Sequence, residues 1–330
     1  MFDVICFGSA TQDIFVQSKN FVFLPSKDFV SGEGLCVGAG AKFYVDRVLT
    51  TIGGCGVNTA VTFSLQGLAT AYCGQIGQDL AGRKLLEELA GAGIDTSRVA
   101  QTSELTTSQS IILTAPDKER TILIYRGASN MLTESEIDWS ALKQTKWFYV
   151  GPMSGQCSDL FAMLLNFAAE NNIDVATNLG ASQIKLGFET MKPLLNLSAV
   201  KIVILNQAEA ADLTGVDFKD ETKIFKVLDE MVRGTVAMTK GKQGVTVSDG
   251  QYLYSAGVPE AGYVDRTGAG DAFAAGLTAA IIQGRSTEEA IQLATANATG
   301  CVQEFGGTNG LLKKGDWGSW IRVEVEKRDI

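Results

Sequence analysis

Short apolar runs alternate with helix-like segments over the second half of this chain. The runs cover residues 146–150, 173–177, 201–205 and 235–239, and the sequence between them has apolar residues at helical spacing. A strand that is apolar along its whole length is buried on both faces, as in a parallel sheet with helices on either side. The pattern therefore predicts an α/β fold with a doubly wound, mainly parallel sheet.

Two segments depart from this alternation. Residues 14–49 and 103–130 contain short strand-like stretches and no long helical pattern. We expect these two segments to form a small β-sheet lid. The remaining residues, 1–13, 50–102 and 131–330, then make up one large α/β domain.

Several predicted elements bear on the position of a site. A first buried strand covers residues 2–8 and leaves Asp13 in a turn beyond its carboxyl end, where ligands collect in parallel sheets. The other expected elements are strand-like stretches at 42–46, 70–74, 108–114 and 120–125, the last two joined by a turn at 116–118; helices at 56–67, 79–92, 270–284 and 287–303; a hairpin of 244–248 with 251–255; and an edge strand containing Ile321, Val323 and Val325.

Composition narrows the possible functions. The chain has 330 residues, no histidine and a formal net charge of −9. Without histidine, Ser-His-Asp and Cys-His nucleophilic systems are excluded, and acid–base chemistry falls to Asp, Glu, Lys, Tyr or Cys. The acidic balance argues against a nucleic-acid partner. No apolar run reaches the roughly 18 to 20 residues of a membrane span, so we expect no membrane association and a cytoplasmic protein.

The most informative stretch is DRTGAGD, residues 265–271, which leads directly into a helical pattern. Gly268, Ala269 and Gly270 lie where that helix starts, so backbone N–H groups can approach a bound anion closely. Asp271 is an unfavourable neighbour for phosphate unless it acts on a proton. The heptad predicts phosphoryl transfer with an anion hole and a catalytic base. A plain helix cap is the alternative.

A glycine-rich turn precedes the first predicted helix of the large domain. In the run GGCGVN, residues 53–58, Gly53 and Gly54 would let a substrate lie against the backbone. Asn58 can both donate hydrogen bonds to hydroxyl groups and accept them. Glycines at such a turn also serve tight packing between strand and helix, so the motif alone leaves both roles open.

Two more motifs follow predicted strands. Asn206 and Glu209 share one face of a first helical turn, where their oxygen atoms could hold Mg²⁺ directly or through water. The same pair is also a capping box with Asn206 as the N-cap. The loop after residue 238 offers the Thr239 hydroxyl, the amides of Gly241 and Gly244 and two lysines to a polyphosphate. Taken alone, it is equally well an ordinary loop between strands.

Together and in this order, these segments resemble the ribokinase-type (PfkB) carbohydrate kinase family. The similarity covers nearly the whole chain, from the Asp13 turn through residues 74–82 to residues 306–312. Its most specific pieces are the turn at 53–58 with its helix and the heptad 265–271. The resemblance implies a ribokinase-like three-layer sandwich that uses ATP and Mg²⁺.

The resemblance also implies a role for individual residues. Asp271 is expected to be the catalytic base, Gly268, Ala269 and Gly270 its anion hole, Asp13, Gly53, Gly54 and Asn58 the contacts to substrate hydroxyls, Asn206 and Glu209 the organisers of Mg²⁺ through water or phosphate, Asn206, Thr239, Gly241 and Gly244 the nucleotide-phosphate contacts, and Asn297 part of the adenine pocket. A monovalent cation such as K⁺ is left open, because Arg266 stands where the family more often has threonine.

The main hypothesis is an ATP-dependent kinase that phosphorylates a hydroxyl of a small sugar or sugar-like substrate. A nucleoside kinase of the adenosine type, with the same fold, is the alternative. A non-catalytic family member that senses a ligand or binds a partner is more remote, because both the base and the glycines are present.

The lid also predicts an assembly. A few exposed strands with aromatic faces are marginally stable on their own, so we expect a homodimer of two-fold symmetry that pairs through the lid. The aromatic residues expected at this contact, or alternatively stacked on a nucleoside base, are Phe21, Phe23, Phe29, Tyr44 and Tyr125.

Overall fold

Strands and helices alternate along the chain in a computed structural model that describes residues 1–29, 31–116 and 118–330. The strands are β1 (Phe2–Phe7), β2 (Thr11–Gln17), β3 (Val22–Pro25), β4 (Glu33–Cys36), β5 (Arg47–Gly53), β6 (Thr70–Gly77), β7 (Asp95–Thr102), β8 (Ser108–Thr114), β9 (Thr121–Tyr125), β10 (Thr145–Val150), β11 (Asp174–Asn178), β12 (Val200–Asn206), β13 (Thr235–Thr239), β14 (Val245–Ser248), β15 (Tyr252–Ala256) and β16 (Val325–Asp329). The α-helices are α1 (Cys55–Leu65), α2 (Leu80–Gly91), α3 (Trp139–Leu142), α4 (Leu160–Asn171), α5 (Ala181–Ile184), α6 (Phe188–Leu195), α7 (Gln207–Thr214), α8 (Glu221–Met231), α9 (Ala269–Ile282) and α10 (Thr287–Cys301).

A ten-stranded sheet is the centre of the fold. Its strand order is β16-β15-β14-β13-β12-β11-β10-β1-β6-β7. The pairings from β13 to β7 are parallel, and β14, β15 and β16 add an antiparallel edge. Helices α4, α6, α7 and α8 pack on one face, whereas α1, α2, α9 and α10 pack on the other. The predicted doubly wound, mainly parallel sheet is confirmed.

Strand β12 shows why the apolar runs identified this sheet. Successive side chains of a strand point to opposite faces. Val203 and Leu205 accordingly lie in the core on one face, and Ile202 and Ile204 lie in the core on the other. Because both faces are covered by helices, neither set of positions can be polar, and the run is apolar throughout.

A second, smaller sheet has the strand order β5-β2-β8-β9. The segments predicted to form the lid supply most of these strands, and β3 pairs with β4 as a separate hairpin. Two details of the prediction are wrong: Asp13 lies within β2 instead of in a turn, and residues 42–46 are not a strand, because β5 begins at Arg47. Asp117, in the predicted turn at 116–118, lies outside the described residues.

The two edges of the large sheet differ from the prediction. Strand β7 was not foreseen, because as an edge strand it carries mostly polar, partly exposed side chains without clear alternation. At the other edge, the terminal strand begins only at Val325; Ile321 precedes it and is 91% exposed. Among the described residues, no helix is long and apolar enough to cross a membrane.

Helix α2 offers a matched test of the core that it covers. Leu85 is fully buried against the sheet, whereas Leu80 in the same helix is 76% exposed. We expect Leu85→Ala to lower the free energy of unfolding by about 2–5 kcal/mol, because it removes buried methyl groups and leaves a cavity. Leu80→Ala should change it by less than about 0.5 kcal/mol. Chemical denaturation of both variants would measure this, and equal losses would contradict the placement of α2.

Candidate active site

The first turn of α9 joins two distant motifs. Gly268 caps this helix with a φ of 82°, a left-handed conformation that favours glycine. Asp271 follows in the first turn, and its Oδ2 accepts a hydrogen bond from Asn58 Nδ2 at 2.8 Å. Asn58 belongs to α1, so the glycine-rich turn at 53–58 and the heptad 265–271 meet at one point.

Burial sets the protonation of this carboxyl group. Loss of hydration raises the pKa of Asp271 to about 6; the Asn58 hydrogen bond opposes that rise, and the negative charge of Asp13 adds to it. A carboxyl group with such a pKa is mostly ionised at neutral pH, yet it is more basic than an exposed aspartate. It can therefore accept a proton from a bound hydroxyl.

The anion-hole side of the helix start is open. Gly270 is exposed, and a Cβ atom built there would meet nothing within 4 Å. Gly268, in contrast, backs directly onto the Cα of Gly307. The amide end of α9 thus faces space that an anion can enter, with a glycine turn behind it.

A glycine pair after α10 completes the wall behind Asn58. A Cβ atom at Gly307 would lie 2.5 Å from Asn58 Nδ2, and Gly306 has a φ of 91° beside Thr51. Asn58 is 4% exposed, and within the described part of the chain its Oδ1 has no hydrogen-bond partner. Sequence reasoning did not assign Gly306 and Gly307 to the site; two adjacent glycines just after a long helix were the available signal.

Asp13 approaches the same place from the second sheet. It is 3% exposed, and its Oδ1 accepts a hydrogen bond from Thr11 Oγ1 at 2.9 Å. Burial raises the pKa of Asp13, with a further contribution from Asp265, while hydrogen bonds from hydroxyl groups oppose the rise. A Cβ atom at Gly53 would overlap Asp13 Oδ2. The bare glycine therefore leaves room for this carboxylate.

Gly54 has a packing role. It caps α1 with a φ of 95°, and a Cβ atom there would lie 2.5 Å from the carbonyl oxygen of Ser9. The turn between β5 and α1 is thus pressed against the turn after β1. Tight packing between strand and helix is therefore sufficient to explain why residue 54 is a glycine.

Asn206 and Glu209 form the capping box that the sequence left as an alternative. The Asn206 N–H donates to Glu209 Oε2 at 2.8 Å, and the Glu209 N–H donates to Asn206 Oδ1 at 2.9 Å. Burial raises the pKa of Glu209, and its hydrogen bonds to Asn206 oppose that rise. Carboxylate and amide oxygens each have a second lone pair, so the cap leaves capacity for another ligand.

The predicted phosphate loop lies beside this pair, because Thr239 and Asn206 are partners in adjacent strands. Gly241 has a φ of 57° and open space around it. One expectation for this loop is corrected: Lys240 Nζ lies 2.9 Å from both Glu221 Oε2 and Thr246 Oγ1, so it is held within the protein. Of the two expected lysines, only the second extends from the loop.

Gly244 closes that loop against the neighbouring strand. Its φ is 86°, and a Cβ atom there would overlap the carbonyl oxygen of Ala256. The second lysine, Lys242, lies 6.0 Å from the ring centre of Tyr263, and the Arg266 guanidinium lies 4.3 Å from the same ring. The segment 263–266 therefore lies between the loop and the start of α9.

Asn297 does not have the surroundings of an adenine contact. It is fully buried in α10, where its Nδ2 donates to the Ala272 carbonyl at 2.8 Å and its Oδ1 accepts from the Leu312 N–H at 2.8 Å. Both ends of the amide are used by the protein. The prediction for Asn297 is therefore corrected: the residue holds α10 against α9 and the chain that follows.

Comparison with known proteins places this site in a family context. The sequence model of the pfkB family carbohydrate kinase matches residues 2–314. A ribokinase of Haemophilus influenzae is 30% identical over 268 residues, which are 78% of this chain and 83% of that protein. An adenosine kinase of Saccharomyces cerevisiae is 28% identical over 270 residues, 77% of this chain and 78% of that protein.

Solved structures share the fold. A ribokinase of Arabidopsis thaliana, complexed with ribose and ATP, superposes with a TM-score of 0.75 at 22% identity, covering 95% of this chain and 96% of that one. An adenosine kinase of Sinorhizobium meliloti gives a TM-score of 0.74 at 21% identity, covering 93% and 95%. With the family model spanning nearly the whole sequence, the chain belongs to the pfkB family of carbohydrate kinases, phosphotransferases that act on hydroxyl groups.

Proposed function

We propose that this enzyme transfers the γ-phosphoryl group of ATP to a hydroxyl of a small sugar or sugar-like substrate. The observation that carries the proposal is the Asn58–Asp271 hydrogen bond beside the open amide end of α9. ATP as donor is supported by the kinase relatives and by the ribokinase structure that contains ATP. A nucleoside acceptor stays as the second candidate, because adenosine kinases are about as similar in sequence as ribokinases.

The residues have distinct proposed roles. Asp271 accepts the hydroxyl proton as the oxygen attacks phosphorus, and Asn58 fixes the direction of its carboxylate. Asp13, on the facing sheet, binds another hydroxyl of the acceptor. The amides at 268–270 stabilise the charge that develops on the transferred group.

Magnesium fits this arrangement as a phosphate-bound ion. Among the described residues, no three His, Cys, Asp or Glu side chains are placed to hold a metal. Mg²⁺ usually keeps several waters and binds substrate phosphates, with one or two protein carboxylates. Glu209 and Asn206 have the oxygen atoms to orient such waters, and the bound ion would neutralise phosphate charge.

Asp265 fits a monovalent cation. It is 4% exposed, and its Oδ2 has no hydrogen-bond partner in the described ranges, while its Oδ1 accepts from Thr267 Oγ1 at 3.0 Å. Arg266 does not compensate that charge, because its guanidinium lies against Glu119 and Tyr263. We therefore keep a cation such as K⁺ in the proposal.

Asp271 provides the direct test of the catalytic role. Because only the ionised carboxylate can accept a proton, kcat/KM should fall as the pH drops below about 6, the raised pKa of this group. Asp271→Asn should lower turnover by roughly 10²–10⁴ and remove this acid limb. The matched control is Asp159→Asn, at an exposed carboxylate without a capping bond. Near-native turnover of Asp271→Asn would refute the assignment.

Two capping boxes separate metal binding from helix capping. Ser286 and Glu289 cap α10 in the same way as Asn206 and Glu209 cap α7. Glu209→Gln and Glu289→Gln should both reduce thermal stability slightly. We expect only Glu209→Gln to raise the Mg²⁺ concentration that gives half-maximal rate. Identical Mg²⁺ titrations for the two variants would mean that Glu209 caps α7 and does not take part in Mg²⁺ binding.

We also propose that the second sheet pairs with its copy in a homodimer. The face opposite Phe15 is apolar and exposed: Val48, Leu123 and Tyr125 are 57%, 52% and 46% exposed, and Ile14 and Ile111 lie between them. Such a patch favours an interface. Of the aromatic residues expected at this contact, Tyr125 lies on this face, whereas Phe21 stacks on Phe43 and Phe23 on Lys118.

Sedimentation at micromolar concentration tests this assembly. The wild type should have the mass of a dimer, and Leu123→Asp should give a monomer because it places a charge in the apolar face. Ile321→Asp, at a 91% exposed position outside the second sheet, is the control and should stay dimeric. An ordered, active wild-type monomer would contradict the interface.

A further inference from the structure

A small recess that opens to solvent lies where the two sheets meet. Its lining includes residues of three neighbouring strands of the large sheet or the turns after them: Gly8 after β1, Gly74 in β6, level with the end of β1, and Pro152 after β10. Arg126, which directly follows β9 of the second sheet, forms part of its rim. Ligands of open α/β sheets bind at this end of the strands.

The recess is positively charged in an acidic protein. Among the described residues that line it, Arg126 is the one that carries a charge, and none is Asp or Glu. Arg126 is exposed and, within residues 1–29, 31–116 and 118–330, makes no ion pair. The ion pair of the second sheet between Lys118 and Glu33 lies away from this recess.

The remaining polar groups favour an acceptor of hydrogen bonds. Ser154 Oγ donates to Asn130 Oδ1 at 3.2 Å, which orients the Asn130 side chain and leaves its NH₂ group as a donor. Ser9, on the opposite wall, supplies another hydroxyl. A guanidinium with amide and hydroxyl donors is the chemistry that binds carboxylates and phosphates.

A short chain of contacts links this recess to the catalytic carboxylate. The Cys55 N–H donates to Ser9 Oγ at 3.2 Å, and Cys55 begins the helix that carries Asn58 one turn later. Asn58 contacts Asp271 at 2.8 Å. Residues one helical turn apart are about 5–6 Å apart, so the recess lies on the order of 10 Å from Asp271, within reach of the far end of a five- or six-carbon acceptor.

We propose that this recess binds an anionic group on the acceptor, so that the substrate class is a sugar acid or a sugar phosphate and Arg126 determines that specificity. The inference rests on the kinase function proposed above and names its acceptor. A nucleoside base fits less well, because no aromatic ring lines the recess and the lid aromatic rings Phe21, Phe43 and Phe23 already have partners among the described residues.

Matched acceptors test the proposal. ADP formation would be measured with fructose against fructose 1-phosphate and fructose 6-phosphate, with glucose against gluconate and 2-keto-3-deoxygluconate, and with adenosine. Binding of the same compounds would be measured by calorimetry in the presence of a non-hydrolysable ATP analogue. The phosphate and carboxylate arms then distinguish the two sources of the anion.

Three variants accompany the wild type: Arg126→Met, Arg126→Lys and the control Arg120→Met. Arg120 lines a different cleft, between the outer part of the second sheet and residues 261–266. We expect one anionic arm to exceed its neutral partner in kcat/KM by about 10²-fold. Arg126→Met should reduce that preference about 10- to 100-fold, mainly through KM. Arg126→Lys should restore part of it, and Arg120→Met should leave it unchanged.

Each contrary outcome is distinct. Best turnover of a neutral acceptor, with the same ranking in Arg126→Met, would overturn the inference while the kinase function stands. Loss of the preference in Arg120→Met would place the anion in the outer cleft and also overturn it. No calorimetric binding of any anionic acceptor would overturn it regardless of turnover. Arg126-dependent binding without phosphoryl transfer would instead refute the kinase function.

Discussion

The hydrogen bond between Asn58 and Asp271 is the contact around which this site is arranged. It joins the first helix of the large domain to α9, two helices that pack against each other on one face of the sheet. Asn58 cannot turn away, because it is buried and Gly307 lies directly against its amide. The carboxylate is thereby held in one orientation beside the open amide end of α9. In the proposed role as a base, a carboxylate fixed in this way would need no reorganisation before it accepts a proton.

Buried carboxylates lie close together at this site, and their negative charge lowers the stability of the folded state. Burial raises the pKa values of Asp13 and Asp271, and each of these groups feels another carboxylate. In the folded state they therefore bind protons more tightly than in the unfolded chain, so their ionisation lowers stability as the pH rises; for Asp271 this loss falls between a pH of about 4 and about 6. Asp265 adds a carboxylate oxygen with no partner in the described residues. Hydroxyl groups, cations and a phosphate-bound metal ion are the ligands that would lower the cost of burying these carboxylates.

The sequence predicted those elements in which the residue types directly reflect whether the side chains are buried. Strands buried on both faces are apolar throughout, so the sheet was predicted, and α9 was placed within two residues of its observed ends. Strand β7 was missed because it lies at the edge of the sheet and carries mostly polar, partly exposed side chains. Asn297 shows a different limit: a helix position alone does not reveal which face it occupies. Only the fold shows that its amide is used by Ala272 and Leu312.

Opposite charges lie at the two ends of the proposed acceptor site. Asp13 and Asp271 make one end negative, and Arg126 makes the other positive, with Cys55 and Ser9 between them. In the proposed binding mode, an acceptor with one anionic end has only one favourable orientation, because the reversed one would bring its charge against two buried carboxylates. Asp13, whose charge adds to the rise that burial causes in the pKa of Asp271, would thus also help to determine which hydroxyl reaches Asp271. Regioselectivity and proton transfer then have the same electrostatic origin.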